Sequence, residues 1–368
     1  MFYVTKLIVL PYLLPGNIEL PKKKKTNFYA EGYKMHTLIT GGAGFIGSHL
    51  VDRLLSLGNK VIVLDDLSTG SLSNLVNVRH NPNFSLITGS ILDSKLVERV
   101  VSQVDCIFHL AAIVGVKLIV LDPVRCITVN VKGTEIVFDA AKHNNIPVVF
   151  ASSSEVYGKS QSIPYEEDGD RILGSTNINR WSYAETKAID EFLGLASARQ
   201  GLPVVILRLF NCYGPRINES GYGTVVAQFI RQALKGEPIT VFGNGQQSRC
   251  FTFVSDTVEA FVIASQNIKA HGQVFNVGTT RETTVLELAN LIKSLTKSES
   301  PVTIVPYKDY YGQHYEDTMR RVPDLKKIQQ VLSYNPAINL EEGLIKTINW
   351  CREHYNLNSS IEKPVSKR

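Results

Sequence analysis

A doubly wound parallel α/β sheet followed by a smaller α/β C-terminal domain is the fold this 368-residue sequence predicts. Short β-rich runs alternate with helical patterns from Met35 to about residue 214, the rhythm of strands joined by crossover helices. A glycine-rich turn separates the first such run from the first helical pattern. After Gly214-Pro215 the rhythm loosens into shorter elements, where the second domain is expected.

The first strand is His36–Thr40, running into Gly41, Gly44 and Gly47 and then the helical run 49–57. Further strands are expected at Lys60–Asp65, Phe84–Thr88 and residues 105–110, 147–152 and 203–209. The first domain thus spans 35–214. Residues 215–357 form most of the second, with some chain crossing back, including helical patterns at 224–235, Val285–Thr296 and Leu340–His354. Residues 1–34 show no sustained period and read as a disordered extension, with Met35 a candidate translation start, and 358–368 read as a tail.

At 44% apolar residues the chain can bury a substantial core. The net charge of +5 owes much to four lysines at 22–25, outside the patterned region, so nucleic-acid binding is not expected. Five scattered cysteines lack zinc-ligand or disulfide-framework spacing, so no metal site is expected and a reducing cytoplasm is the expected setting. The apolar run 7–14 is broken by Pro11 and bounded by Pro15, well short of the roughly 20 residues that span a bilayer.

A strand, three glycines spaced by two residues and a helix let backbone approach a pyrophosphate, and the next strand ends in Asp65. A carboxylate there accepts hydrogen bonds from an adenosine ribose and repels a 2′-phosphate, which favours NAD over NADP; Asp66 is the alternative acceptor. Tyr183 and Lys187 lie four apart on a predicted helix, so an ammonium can stand beside a phenol and lower a pKa that starts near 10. Tyr183 then becomes a base for a hydroxyl whose carbon gives up hydride. The fifth strand runs into Ser153, Ser154 and Glu155, at the edge of the sheet where ligands bind in such folds.

On these residues the chain resembles the extended short-chain dehydrogenases/reductases of the NAD-dependent epimerase/dehydratase class. The matching stretches are ThrGlyGlyAlaGlyPheIleGly at 40–47, HisLeuAlaAla at 109–112, SerSerGluValTyrGly at 153–158, TyrAlaGluThrLys at 183–187 and ArgLeuPheAsnCysTyrGlyProArg at 208–216. The resemblance implies NAD and a nucleotide-linked sugar, such as a UDP-sugar, that is oxidised transiently at C4. It implies Tyr183 as base, Lys187 supporting it and holding ribose, and Ser153 on the reacting hydroxyl. Phe45, Ile46, Leu110, Ala111, Ala112 and Asn130 become cofactor contacts, and Asn211 and Arg249 become contacts to the substrate diphosphate. Helices over 122–144 and 180–200, long and apolar for surface helices, imply a homodimer, as in relatives that pair through four helices.

After C4 oxidation the sugar can take hydride back on the other face, lose water, or lose carbon dioxide if it is a uronate. SerSerGlu at 153–155, Arg321 in ArgArgValProAsp, and the Arg180-Trp181 pair before Tyr183 resemble UDP-glucuronate decarboxylases. In that reading Arg321 serves the substrate carboxylate and Glu155 handles a proton or water at C5. Against it, Ile119 stands where those enzymes use a tyrosine, leaving Lys117 as a candidate in its place, and Ser90 replaces an aspartate frequent near the adenine. A UDP-sugar 4-epimerase is the alternative, followed by a 4,6-dehydratase. A catalytically silent NAD sensor is disfavoured by the intact Ser153, Tyr183 and Lys187.

Overall fold

The computed structural model describes residues 34–115, 119, 121–217, 225–307 and 316–355. Seven parallel strands form the main sheet: β1 (His36–Thr40), β2 (Lys60–Asp65), β3 (Phe84–Thr88), β4 (Cys106–His109), β5 (Val148–Ser153), β6 (Val204–Leu209) and β11 (Gln273–Val277). Their spatial order is β11-β6-β5-β4-β1-β2-β3, so the chain winds outward from β1 in both directions. The reversal between β1 and β4 opens a crevice at the carboxyl ends of the strands.

Alternation along each strand builds a core on either face. Ile39, Val63, Phe108, Val149 and Leu207 point to one side, beneath α1 (Phe45–Ser56). Leu38, Leu64, Ile107, Phe150 and Ile206 point to the other, beneath α2 (Ser94–Val101) and the helices of residues 123–144 and 181–199. The 122–144 pattern resolves into α3 (Pro123–Ile127), a π-helical turn (Thr128–Lys132) and α4 (Gly133–Asn144), while α5 is Trp181–Arg199.

The second half of the chain contributes to both parts of the molecule. β7 (Cys212–Tyr213) pairs with β10 (Thr252–Phe253), after which α7 (Val254–Ser265) packs on α1, β5 and β6, and β11 completes the main sheet. The remaining elements are α6 (Val225–Lys235), β8 (Ile239–Phe242), β9 (Ser248–Cys250), β12 (Glu282–Thr284), α8 (Val285–Thr296), β13 (Val302–Val305), β14 (Arg320–Arg321), α9 (Lys326–Leu332) and α10 (Leu340–His354). β9 is the hinge of a small sheet, antiparallel to β12 and parallel to β14, and that register sets Arg321 opposite Arg249.

No helix among the described residues is long and apolar enough to cross a membrane.

Candidate active site

A cavity of about 950 Å³ runs along the crevice and takes its walls from residues as distant as Gly41 and Tyr355. Its first end is built by the turn after β1. Gly41 adopts φ +73°, and a Cβ on it would lie 2.8 Å from the Ala111 nitrogen. A Cβ on Gly47 would meet the Gly41 carbonyl oxygen at 2.3 Å, whereas one on Gly44 meets protein only at 3.2 Å, again the Gly41 oxygen. Gly41 is therefore demanded by the close approach of the backbone after β4, and Gly47 by the packing of turn against helix. Gly44 tolerates a side chain as far as the fold is concerned and faces the cavity.

Asp65 and Asp66 both line this end. One Asp65 oxygen accepts from the Ala43 N–H at 2.9 Å and the other from the Leu67 N–H at 2.8 Å, so the carboxylate braces the glycine turn. Burial raises its pKa, and these two amides oppose the rise. Each oxygen keeps a further lone pair for a hydroxyl donor. Phe45, Ile46, Leu110, Ala111 and Ala112 also line the cavity.

Asn130 does not line it. Set in the π-helical turn and fully buried, it accepts from the Ile113 N–H at 2.8 Å and donates to the Thr186 hydroxyl at 3.1 Å. It ties the loop after β4 to α5 from behind, so the contact expected of it is indirect. Lys117 lies outside the described residues.

At the other end stand Ser153, Ser154, Glu155, Tyr183, Lys187, Asn211 and Arg321, all on the cavity wall. β5 ends at Ser153, whose hydroxyl accepts from the Glu155 N–H at 3.2 Å and caps a short 3-10 turn that projects Glu155. Burial pushes the Tyr183 phenol above its ordinary value, with the Ser153 hydroxyl the main opposing influence. Lys187, one turn further along α5, is the ammonium expected to oppose that rise. Lys187 is buried, donates to the Ala151 carbonyl at 2.9 Å and lies 4.6 Å from the Phe150 ring centroid. Asn211 Oδ1 is buried without a hydrogen-bond partner, an acceptor available to a ligand donor.

Glu155 is gripped from two sides, by Arg321 at 2.8 Å and Arg180 at 3.3 Å. Burial disfavours its charge, but Arg321 and then Arg180 overcome that and hold the carboxyl down at about 2. It is ionised at neutral pH, in the form that can accept a proton. Arg180 continues to Asp317 at 3.0 Å, and Asp317 in turn binds Arg249 at 3.0 Å. Arg249 is buried behind this chain and also donates to the Ser248 carbonyl; it does not line the cavity. Three guanidiniums thus share two carboxylates in and behind this wall.

Sequence reasoning missed several lining residues. Arg180 carried a signal, one helical turn ahead of Tyr183, but its ion pair with Asp317 spans more than a hundred positions. Trp350 and His354 on the last helix and Tyr355 just past its end close the cavity, and their spacing looks like an ordinary amphipathic face. Among the described residues no group of three or more His, Cys, Asp or Glu side chains could hold a metal ion.

The strand order, the glycine cradle and a Ser-Tyr-Lys set in one crevice define a class of dinucleotide-dependent enzymes, and residues 37–278 match the NAD dependent epimerase/dehydratase family. The chain belongs to that family. It is 42% identical over 323 residues to the UDP-N-acetyl-alpha-D-glucosaminuronate decarboxylase of Bacillus cytotoxicus, covering 88% of this chain and 99% of that protein. UDP-glucuronic acid decarboxylase 1 of Danio rerio is 36% identical over 354 residues, covering 94% and 80%. Among solved structures, UDP-glucuronic acid 4-epimerase from Bacillus cereus, in complex with UDP-glucuronic acid and NAD, superposes with a TM-score of 0.79. It shares 28% identity over 87% of this chain and 100% of that one.

Proposed function

We propose that this enzyme decarboxylates a UDP-linked hexuronate, glucuronate or its N-acetylated amino counterpart, with NAD as cofactor. The carrying observation is Glu155 clamped between Arg321 and Arg180 on the wall that also holds Ser153 and Tyr183. Three guanidiniums against two carboxylates leave one positive charge unmatched, which suits a substrate bearing both a diphosphate and a carboxylate. The names of the Bacillus cytotoxicus and Danio rerio relatives support the same reading.

The residues fit the cofactor. Gly41 brings the turn close to the backbone after β4 and Gly47 packs it on α1, Gly44 leaves room for a pyrophosphate, and Asp65 keeps lone pairs for ribose hydroxyls. Bound NAD supplies the hydride acceptor for C4. Ser153 orients the C4 hydroxyl and Tyr183 takes its proton; the Lys187 ammonium stabilises the phenolate. The new C4 ketone stands β to the C5 carboxylate, so the C5–carboxyl bond breaks, carbon dioxide leaves, and its electron pair passes to C4 oxygen as an enolate. Arg321 orients the departing carboxylate. As the substrate carboxylate engages Arg321, Glu155 loses its stronger partner, its proton affinity rises, and it can then manage a proton at C5.

The test is incubation with NAD and each uronate, followed by mass spectrometry. Carbon dioxide release with a UDP-pentose, its 4-keto form, or the N-acetylated equivalent is the expected result. Conversion of UDP-glucuronate to UDP-galacturonate alone would establish the epimerase instead, the activity named for the Bacillus cereus neighbour.

We further propose a two-fold homodimer. Leu121, Val124 and Ile127, at and beside α3, and Ile189 and Phe192 on α5 leave large apolar side chains in solvent, Val124 72% and Phe192 63% exposed. α3 and α5 pack on each other, so these residues lie on adjoining elements.

A further inference from the structure

Asp190 and Glu191 are consecutive carboxylates on α5, both buried, with opposite surroundings. Glu191 receives two bonds from the Arg208 guanidinium, at 2.9 and 2.7 Å, and another from Ser152. Asp190 is fully buried, and neither of its oxygens meets full hydrogen-bond geometry, the Thr134 hydroxyl acting on it as a weak donor. An unmatched buried carboxylate costs several kcal/mol in principle and is a group a fold does not keep without compensation. Burial raises it to about 7, with the Lys187 ammonium and then the Thr134 hydroxyl opposing the rise and Glu191 adding to it.

What surrounds it is the reacting end of the cavity. Lys187 sits one turn back on α5, and Cys126 faces from α3. Behind Thr134 runs a buried polar line. The Thr40 hydroxyl accepts from the Ala111 N–H at 3.2 Å and meets His109 Nδ1 at 2.7 Å, while His109 Nε2 meets the Thr134 hydroxyl at 3.0 Å. Burial, with Lys187 nearby, lowers His109 to about 3, so the ring is neutral. The line therefore carries no charge to Asp190, and the cation that acts on it is Lys187. The charge of Asp190 acts on both members of the pair: it favours the ammonium of Lys187 and disfavours the phenolate of Tyr183.

We propose that Asp190 is a positioning residue whose charge, one turn beyond Lys187, sets the pH window in which Lys187 is an ammonium while Tyr183 can ionise. The proposal rests on Tyr183 and Lys187 being the reacting pair. The fold carries a poorly compensated buried carboxylate, at a cost in stability, because without it the buried lysine would lose its proton too early.

Two measurements on Asp190→Asn test it. Asp190 carries its charge only above about 7, so removing it lowers the proton affinity of Lys187 there, and the alkaline limb of the kcat profile moves to lower pH by about one unit while the acid limb stays. A structural lesion lowers the profile without moving it. In thermal unfolding, Asp190 binds its proton more tightly folded than unfolded, so wild-type stability falls as pH rises from about 4 to about 7. The variant escapes that fall, and its Tm advantage is larger at about pH 8 than at about pH 4. A profile superposable on wild type at any amplitude overturns the proposal. If Asp190→Asn does not fold, Asp190→Ala is measured likewise, and loss of folding in both overturns it. Should the wild type release no carbon dioxide from either uronate, the reaction reading fails while Asp190 is still tested through the alkaline limb of NAD binding.

Discussion

Tyr183 is the residue on which turnover depends most directly. Tyr183→Phe removes the ionisable oxygen and keeps the ring that packs against Ile113, Ile119 and Cys126. Turnover is expected to vanish while NAD still binds, a result checked by single-turnover assay and by calorimetric titration with NAD. Arg321→Ala should suppress carbon dioxide release at least a hundredfold with NAD affinity unchanged, since the arginine grips Glu155 at the substrate end and not the cofactor turn. Glu155 also carries a pH signature. Its folded-state value, about 2, lies below the ordinary carboxylate range, so its stabilising contribution is complete above about 4.5 and is lost as the pH falls toward 2. Acid unfolding of Glu155→Gln should accordingly show a shallower dependence over that interval than wild type. Ser153, Glu155, Tyr183 and Lys187 were legible because each sits in a local run whose spacing states its geometry. The Arg180 to Asp317 pair and the burial of Asp190 were not, because they follow from which side chains meet across the fold.

The turn between β1 and α1 separates two roles that a glycine pattern merges. Gly47→Ala drives a methyl into the Gly41 carbonyl at 2.3 Å and the Gly42 Cα at 2.8 Å, both backbone. It should lower stability by about 1–3 kcal/mol and weaken NAD binding with it. Gly44→Ala meets protein at 3.2 Å only, and its backbone φ of −74° suits alanine, so Tm should stay near wild type while NAD affinity falls. Paired thermal melts and NAD titrations of the two variants check this division. Sequence patterning placed the strands to within a residue or so, because buried parallel strands are written as unbroken apolar runs. It read 122–144 as one helix and could not see the π turn at Thr128–Lys132, which is fixed by Asn130 reaching the loop after β4.

At the scale of the whole molecule, the apolar side chains of α3 and α5 predict association. Val124→Glu together with Phe192→Glu should convert a dimer to monomer in light scattering at micromolar concentration, with the melting curve of the subunit little changed because both positions are exposed. The alternating βα rhythm announced six strands of the main sheet, but the seventh comes from Gln273–Val277, after the chain has crossed into the smaller sheets. Nothing local marks that run as a partner of β6; the pairing is a long-range choice. It also gives synthesis a direction. A nascent chain that has released everything through β6 still presents that strand with an unpaired edge, and some 65 further residues must emerge before β11 can cover it. During that interval the half-made protein is a template for its neighbours on the same message. Chains truncated between β6 and β11 should therefore accumulate as aggregates even though every glycine of the cofactor turn is present, and slower elongation across this stretch should prolong the hazard.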